Sequence, residues 1–305
     1  MSSESGGPPW IAYNPDGSIH FGGVPDRLLN HPEMRRRGIK LGGAMNPGFV
    51  FRSIPTEDPQ FIVKVLNLDT EELPIYERLL RELKSPRNHT IPCEIYREGH
   101  PLLIMPYLVQ LDSLVIRDCP SLGRLLQIMQ ELAEGVEFLH QRHIAHLDIC
   151  FNNIVAALGE HVSTHPASGL VFGRPYIIDF DTSRQLALGP GDQHAITLPS
   201  TQLPPPNDLK HFDPYSWDMY CLGRVYERIV DDFSFCTKYS PRVAWWCARW
   251  VVGEERGCLT TCRCRPSART VRQVLSFIRV AAPLVEACER LYDRFFASPP
   301  ARSQA

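Results

Sequence analysis

His146-Leu147-Asp148-Ile149-Cys150-Phe151-Asn152-Asn153 and Ile177-Ile178-Asp179-Phe180-Asp181 are the two segments on which the reading of this chain turns. Asp179 lies 26 residues after Asn153. Taken singly, each is a common kind of loop beside a short apolar run. Together they bring a carboxylate, a side-chain amide and a second carboxylate to neighbouring strand ends. Phosphoryl transfer from a nucleotide calls for this inventory: one base that orients an acceptor hydroxyl, and hard oxygen ligands for Mg²⁺.

Upstream, Phe49-Val50-Phe51 and Phe61-Ile62-Val63-Lys64-Val65 are β-branched and aromatic runs separated by turn residues, which predicts an antiparallel pair. Thr70 to Leu83 has helical apolar spacing, with Pro74 in the first turn. Leu102–Met105 reads as a strand. Leu122, Leu125, Leu126, Met129, Leu132, Val136 and Leu139 form the clearest amphipathic helix. Downstream, 154–156 and 176–178 read as short strands around a Gly/Ser/His/Pro loop, and 182–215 is Pro-rich without a clear period. Helices are predicted over 217–233, 241–252, 268–279 and 283–296. Strands first and helices later predict an α+β chain, β-rich at 36–108 and α-helical at 109–298. Residues 1–35 read as an irregular arm ending in Arg35-Arg36-Arg37, a solvated basic face. Residues 299–305 read as a disordered tail.

Of 305 residues, 44% are apolar and 22% charged, with a net charge of −2. A nucleic-acid or anionic-membrane binder is usually far more basic, so no nucleic acid and no membrane partner is expected. Met1–Pro9 lacks the basic flank and apolar run of a signal peptide. The most apolar stretch, Val243–Val252, contains Arg249 and is short for a membrane span. A cytoplasmic or nuclear protein is expected, with its ten cysteines reduced and mostly buried as small hydrophobes. Cys258, Cys262 and Cys264 do not match a common zinc spacing. Pro is enriched at 27 residues, about 9% against a usual ~5%.

The motif order resembles a eukaryotic protein kinase domain, and in phrasing it is similar to the divergent kinase-like proteins abundant in fungi. The catalytic loop H-R-D-L-x-x-x-N matches at His146, Asp148, Ile149 and Asn153. The resemblance implies Asp148 as catalytic base, Asn153 and Asp179 as Mg²⁺ ligands, and Lys64, from V-A-I-K, on the ATP phosphates. Gly43-x-Met45-x-x-Gly48-x-Val50 is a looser match to the Gly-rich loop. Glu72 is the favoured partner of Lys64, with Glu77 as the fallback, because Pro74 prefers the first helical position and would push Glu72 outside the helix. The resemblance also puts Ile62, Met105, Pro106, Leu108 and Val155 around the nucleotide, with a carbonyl at Pro106 and both N–H and C=O at Leu108 offered to an adenine edge. Trp217-Asp218-Met219-Tyr220-Cys221-Leu222-Gly223, Pro205-Pro206-Asn207 and Arg265-Pro266-Ser267 resemble the family's later motifs. A bilobal kinase-like fold spanning roughly 40–280 is implied, with ATP and Mg²⁺ as cofactors and a protein as substrate or binding partner.

Several positions depart from the pattern. Leu147 stands where the family has the Arg that grips a phosphorylated loop. Cys150 replaces a Lys, which removes a positive charge near the transferred phosphoryl. Ile62 replaces a small Ala against the adenine. Asp181 replaces a Gly, at the expense of backbone strain if φ > 0 is required. Asn207 replaces a Glu, with Asp208 as an alternative carboxylate toward Arg265. The surplus at 159–174 reads as a tolerated insertion or a docking loop. Three functions stand at this point: an ATP-dependent protein Ser/Thr kinase, a pseudokinase scaffold, and a small-molecule kinase of the aminoglycoside/choline-kinase type, suggested by Asp179-Phe180-Asp181.

Overall fold

The alternation of side chains along Phe61–Val65 organises the first third of the chain. The computed structural model describes residues 10–118, 121–206, 209–254 and 260–296. The expected tail at 299–305, the start of the arm, Cys258 and the pair Asn207-Asp208 lie outside the described residues. Five strands, β1 (Leu41–Asn46), β2 (Val50–Ser53), β3 (Phe61–Val65), β4 (Glu94–Tyr96) and β5 (Leu102–Pro106), form an antiparallel sheet in the order β1-β2-β3-β5-β4. In the expected pair, Val50 faces Lys64 and Phe51 faces Val63.

Successive strand residues point to opposite faces. Val63 and Val65 therefore join Phe51, Leu102 and Ile104 on one side of the sheet, and Lys64 points to the other side with Leu103 and Met105. The arm covers the first side. Two short helices, α1 (Asp26–Leu29) and α2 (Pro32–Arg37), with Trp10 upstream, bury Trp10, Leu28 and Met34 there. Residues 10–35 are thus partly helical, where the sequence reads as irregular. The punctuation that hid α2 is its own capping: His31 accepts from the Glu33 N–H, Pro32 starts the helix, and Gly38 ends it at φ 68°. The basic run is also more than a solvated face. Arg36 and Arg37 both bind Glu33, and Arg37 also binds Glu94 at 2.7 Å.

Helix α3 (Glu72–Leu80) precedes β4 in sequence. A short strand β6 (Val109–Gln110) leads into α4 (Leu111–Asp118) and then α5 (Leu122–His140), whose expected apolar stripe is fully buried. After α5 come β7 (Ile144–Ala145), a single 3₁₀ turn at Phe151–Asn153, β8 (Ile154–Ala156), α6 (Gly159–Thr164) and β9 (Pro175–Ile177). Strands β6, β8 and β9 form a small antiparallel sheet, while β10 (Arg184–Gln185) pairs with β7. The Pro-rich stretch carries one more pair, β11 (Ile196–Thr197) with β12 (His211–Phe212).

The rest is helical: α7 (Pro214–Thr237), α8 (Arg242–Val252) and α9 (Ala268–Phe296). Helices α5, α7 and α9 pack around one apolar core. A Cβ on Gly223 would sit 2.6 Å from the Val252 backbone nitrogen, so only glycine lets α7 and α8 approach there. Helix α9 is continuous, where two helices are expected around Pro283. Pro283 is exposed, so the carbonyl it leaves without an N–H partner can reach water. The chain is therefore of mixed α+β class. No helix among the described residues is long and apolar enough to cross a membrane. The cysteines divide: Cys150, Cys221 and Cys247 are buried, and Cys236, Cys264 and Cys288 are exposed.

Candidate functional site

Lys64 leaves β3 on the face away from the arm and meets two carboxylates. Its Nζ donates to Glu72 Oε1 at 2.6 Å and to Asp179 Oδ1 at 2.5 Å. Glu72 is the first residue of α3, with Pro74 in the first turn, where a missing N–H leaves no bond unmade. The proline does not displace Glu72 from the helix, as its preference for the first position suggested. Glu77, the fallback, binds Arg97 at 2.9 Å.

Burial shapes the charges of this triad. It would push the Lys64 amine down, but the Glu72 and Asp179 carboxylates outweigh it and hold the amine above its ordinary value. Glu72 is fully buried, and burial raises its carboxyl to about 7 despite Lys64. Burial also opposes ionisation of Asp179, but there the adjacent ammonium prevails and the carboxyl sits below its usual range.

The loop from His143 to Asn153 is held from beneath by Asp218 on α7. The fully buried Asp218 carboxylate accepts from the N–H groups of His146 and Leu147 at 2.9 and 2.7 Å, with the His140 ring at 2.9 Å. Trp217 Nε1 donates to the Leu147 carbonyl at 2.7 Å. These bonds trap Leu147 at φ 67°, a left-handed conformation unfavourable for a branched side chain, so that Asp148 follows on a rigid turn. Asp179 has φ 66°, whereas Asp181 is not among the positive-φ residues; the strain anticipated at Asp181 falls two positions earlier. Between them Phe180 is fully buried, with ring centroids 5.0 Å from both Tyr76 and His146.

A cavity of about 670 Å³ opens beside Lys64. Val50, Ile62, Lys64, Met105, Pro106, Leu108, Val155, Asn153 and Asp179 all line it, as anticipated. Gly43 and Gly48 do not; Met45 and Asn46, from the same hairpin, take that wall, and Gly48 at φ 85° makes the turn. Ile62 leaves the cavity open. Asp112 and Ser113, which the sequence reading passed over, line its mouth at the start of α4.

Asn153 Nδ2 donates to the Asp148 carbonyl at 2.9 Å and to Asp148 Oδ2 at 3.1 Å. This turns the amide oxygen of Asn153 away from Asp148. Gln202, from the Pro-rich segment, closes over both. Its backbone N–H donates to Asp148 Oδ1 at 2.7 Å, and its Nε2 donates to Asp148 Oδ2 at 3.1 Å and Asn153 Oδ1 at 3.4 Å. Asn152 Nδ2 in turn donates to Gln202 Oε1 at 3.0 Å. Nothing near Gln202 in sequence announces this role; the contact is entirely non-local. Burial raises the Asp148 carboxyl, and the Gln202 bonds partly offset the rise. The Cys150 thiol, two residues on, is pushed up to about 11 by burial and stays neutral.

Asp179 and Asn153 present hard oxygen donors at the cavity wall. Among the described residues no group of three or more His, Cys, Asp or Glu forms a metal cage by itself.

No protein-family model matches this chain, and no curated protein matches it in sequence.

Proposed function

We propose that this chain is an ATP-dependent phosphotransferase of bilobal, protein-kinase-like architecture, transferring the γ-phosphoryl of Mg·ATP to a hydroxyl of a protein Ser or Thr. The observation that carries the reading is the Lys64 ammonium held between Glu72 and Asp179 at the wall of a nucleotide-sized cavity that Asn153 also lines, with Asp148 hydrogen-bonded to Asn153 just outside the lining. The sheet over 41–106 supplies the roof of the cavity, and the helical part supplies its floor. Bound Mg²⁺ would neutralise charge on the phosphates, with Asp179 and Asn153 as its protein ligands. Lys64 would hold the phosphate oxygens. Asp148, on a turn fixed by Asp218, would accept the proton of the incoming hydroxyl. The support for a protein acceptor is the resemblance of Trp217–Gly223 and Arg265-Pro266-Ser267 to protein-kinase motifs. In the structure Asp218 braces the Asp148 loop, and Arg265 is buried against α7 through Ser216.

A second reading, a nucleotide-binding or scaffold module without turnover, is favoured by one observation: Gln202 occupies both oxygens of Asp148, where an acceptor hydroxyl would donate. Cys150, neutral and buried, adds no positive charge there. The two readings separate in an assay of Mg·ATP with generic protein acceptors. Turnover that disappears in both Asp148→Ala and Asp179→Ala establishes the enzyme. Stabilisation of the chain by Mg·ATP without turnover establishes the binding module. Neither turnover nor stabilisation sinks both.

A further inference from the structure

Helix α9 carries apolar side chains on two opposite faces. Val271, Leu275 and Ala282 are buried in the core. On the other side Phe277, Val280, Leu284, Leu291 and Phe295 are 82%, 85%, 69%, 54% and 72% exposed, and Cys288 between them is exposed too. At 3.6 residues per turn these six lie within about 40° of the Leu284 direction, in one stripe roughly 27 Å long. The seam formed by these residues with Gln273, Ala281 and Ala287 contains no charge. Taking about 200 Å² for an aromatic side chain, the stripe exposes roughly 700 Å². That exceeds the ~300–600 Å² of the largest patch on a typical monomer, and approaches the ~800 Å² that each partner contributes to a standard interface.

The spacing says what covers it. Along 277, 280, 284, 288 and 291 the steps are 3, 4, 4 and 3, the same in both directions about Leu284. A two-fold interface places residue i on j and j on i, so an antiparallel pair crossing at Leu284 matches each apolar position from Phe277 to Leu291, and places Phe295 against the uncharged Gln273 at either end. Leu284 meets its own copy, Val280 meets Cys288, and Phe277 meets Leu291. Ala281 meets Ala287, a small pair on either side of the axis that allows the close 8–10 Å approach of packed helices. The 3-4-4-3 order reads the same in both directions about Leu284, a symmetry that a foreign partner would not impose.

We propose that the chain forms a two-fold symmetric homodimer through α9, packed antiparallel about Leu284. Sedimentation velocity of the full chain over a dilution series tests it. A reversible dimer is expected, and Leu284→Glu converts it to monomer with the circular dichroism spectrum unchanged, because the side chain is exposed in the monomer, while the concentration dependence of thermal unfolding disappears. Oxidative crosslinking with copper-phenanthroline and peptide mapping test the register. Leu284→Cys bonds to its own copy, and Val280→Cys bonds to Cys288 of the second copy. Native Cys288 does not bond to itself, since eight residues of offset separate the pair by about 12 Å along the axis, beyond the ~7 Å reach of a disulfide. A chain that remains monomeric, a dimer that survives Leu284→Glu, or a Cys288–Cys288 crosslink overturns the proposal.

Discussion

The backbone N–H of Gln202 lies 2.7 Å from Asp148 Oδ1, across 54 residues of sequence, and its side-chain amide binds the other oxygen of the same carboxylate. Three hydrogen bonds, two from Gln202 and one from Asn153, thus already fall on the carboxylate that the proposed function makes the proton acceptor. Under that proposal an incoming hydroxyl would compete with Gln202 for Asp148.

Gln202→Ala removes the side-chain bond while leaving the backbone bond in place. Hydrogen bonds to a charged group contribute about 1.5–3 kcal/mol, so phosphoryl transfer to a generic acceptor is expected to rise about tenfold, the equivalent of ~1.4 kcal/mol. The bond also favours the ionised form of Asp148. Losing it raises the carboxyl, so the acidic limb of the pH–rate profile moves to higher pH. An unchanged rate and an unchanged limb would refute the competition argument.

Mg·ATP bound to the folded chain alone should stabilise it by about 2.7 kcal/mol at a hundredfold excess over Kd. Asp179→Asn keeps the side-chain volume but removes the charge that faces Lys64 and that, in the proposed function, would face Mg²⁺. Thermal-shift titrations should lose the Mg²⁺-dependent part of this stabilisation in the variant. A variant that responds to Mg·ATP as the wild type does would remove Asp179 from the metal site.

Burial raises the Glu72 carboxyl from an ordinary 4.5 to about 7. The folded chain then holds more protons than the unfolded chain between these values. The stability contributed by this group is complete below pH 4.5 and is lost as the pH rises through 7. The change is on the order of 3 kcal/mol. Denaturant unfolding of wild type and Glu72→Gln across this range should give diverging curves, the variant having the flatter loss of stability toward neutral pH. Parallel curves would show that Glu72 titrates normally.

Asp218→Ala leaves the buried N–H groups of His146 and Leu147 without an acceptor and frees Leu147 to leave its left-handed conformation. Breaking a buried charged network of this kind costs about 3–5 kcal/mol. Urea unfolding should show a loss of that order, accompanied by loss of any turnover, because Asp148 is no longer positioned. A loss below ~1 kcal/mol would mean that the loop holds itself.

Much of the architecture was legible from periodicity. The β2–β3 pair, β5, and helices α3, α5, α7 and α8 follow from apolar spacing, since a strand or helix half in a core must repeat at 2 or 3.6 residues. Elements β1, β4 and α4 carry weaker patterns. Helix α2 escaped because its capping residues, His31, Pro32 and Gly38, look like loop composition. The break expected between 279 and 283 does not occur in α9, where Pro283 faces solvent. Of the candidate site residues, order and spacing singled out Lys64, Asn153 and Asp179, which the fold brings to one cavity, and Asp148, which it places against Asn153; Gly43 and Gly48 were assigned a cavity wall that Met45 and Asn46 occupy.

The sequence by itself determined the order of elements, their faces, and the residue types available for chemistry, because these depend on neighbours a few positions away. Tertiary structure alone decided between Glu72 and Glu77, brought Gln202 onto Asp148, folded Trp10 and Leu28 against the sheet, and left one face of α9 in solvent. Each of these depends on how segments tens of residues apart close and pack. Local periodicity carries no record of that closure; it is set by which apolar surfaces meet and which buried polar groups must then find partners.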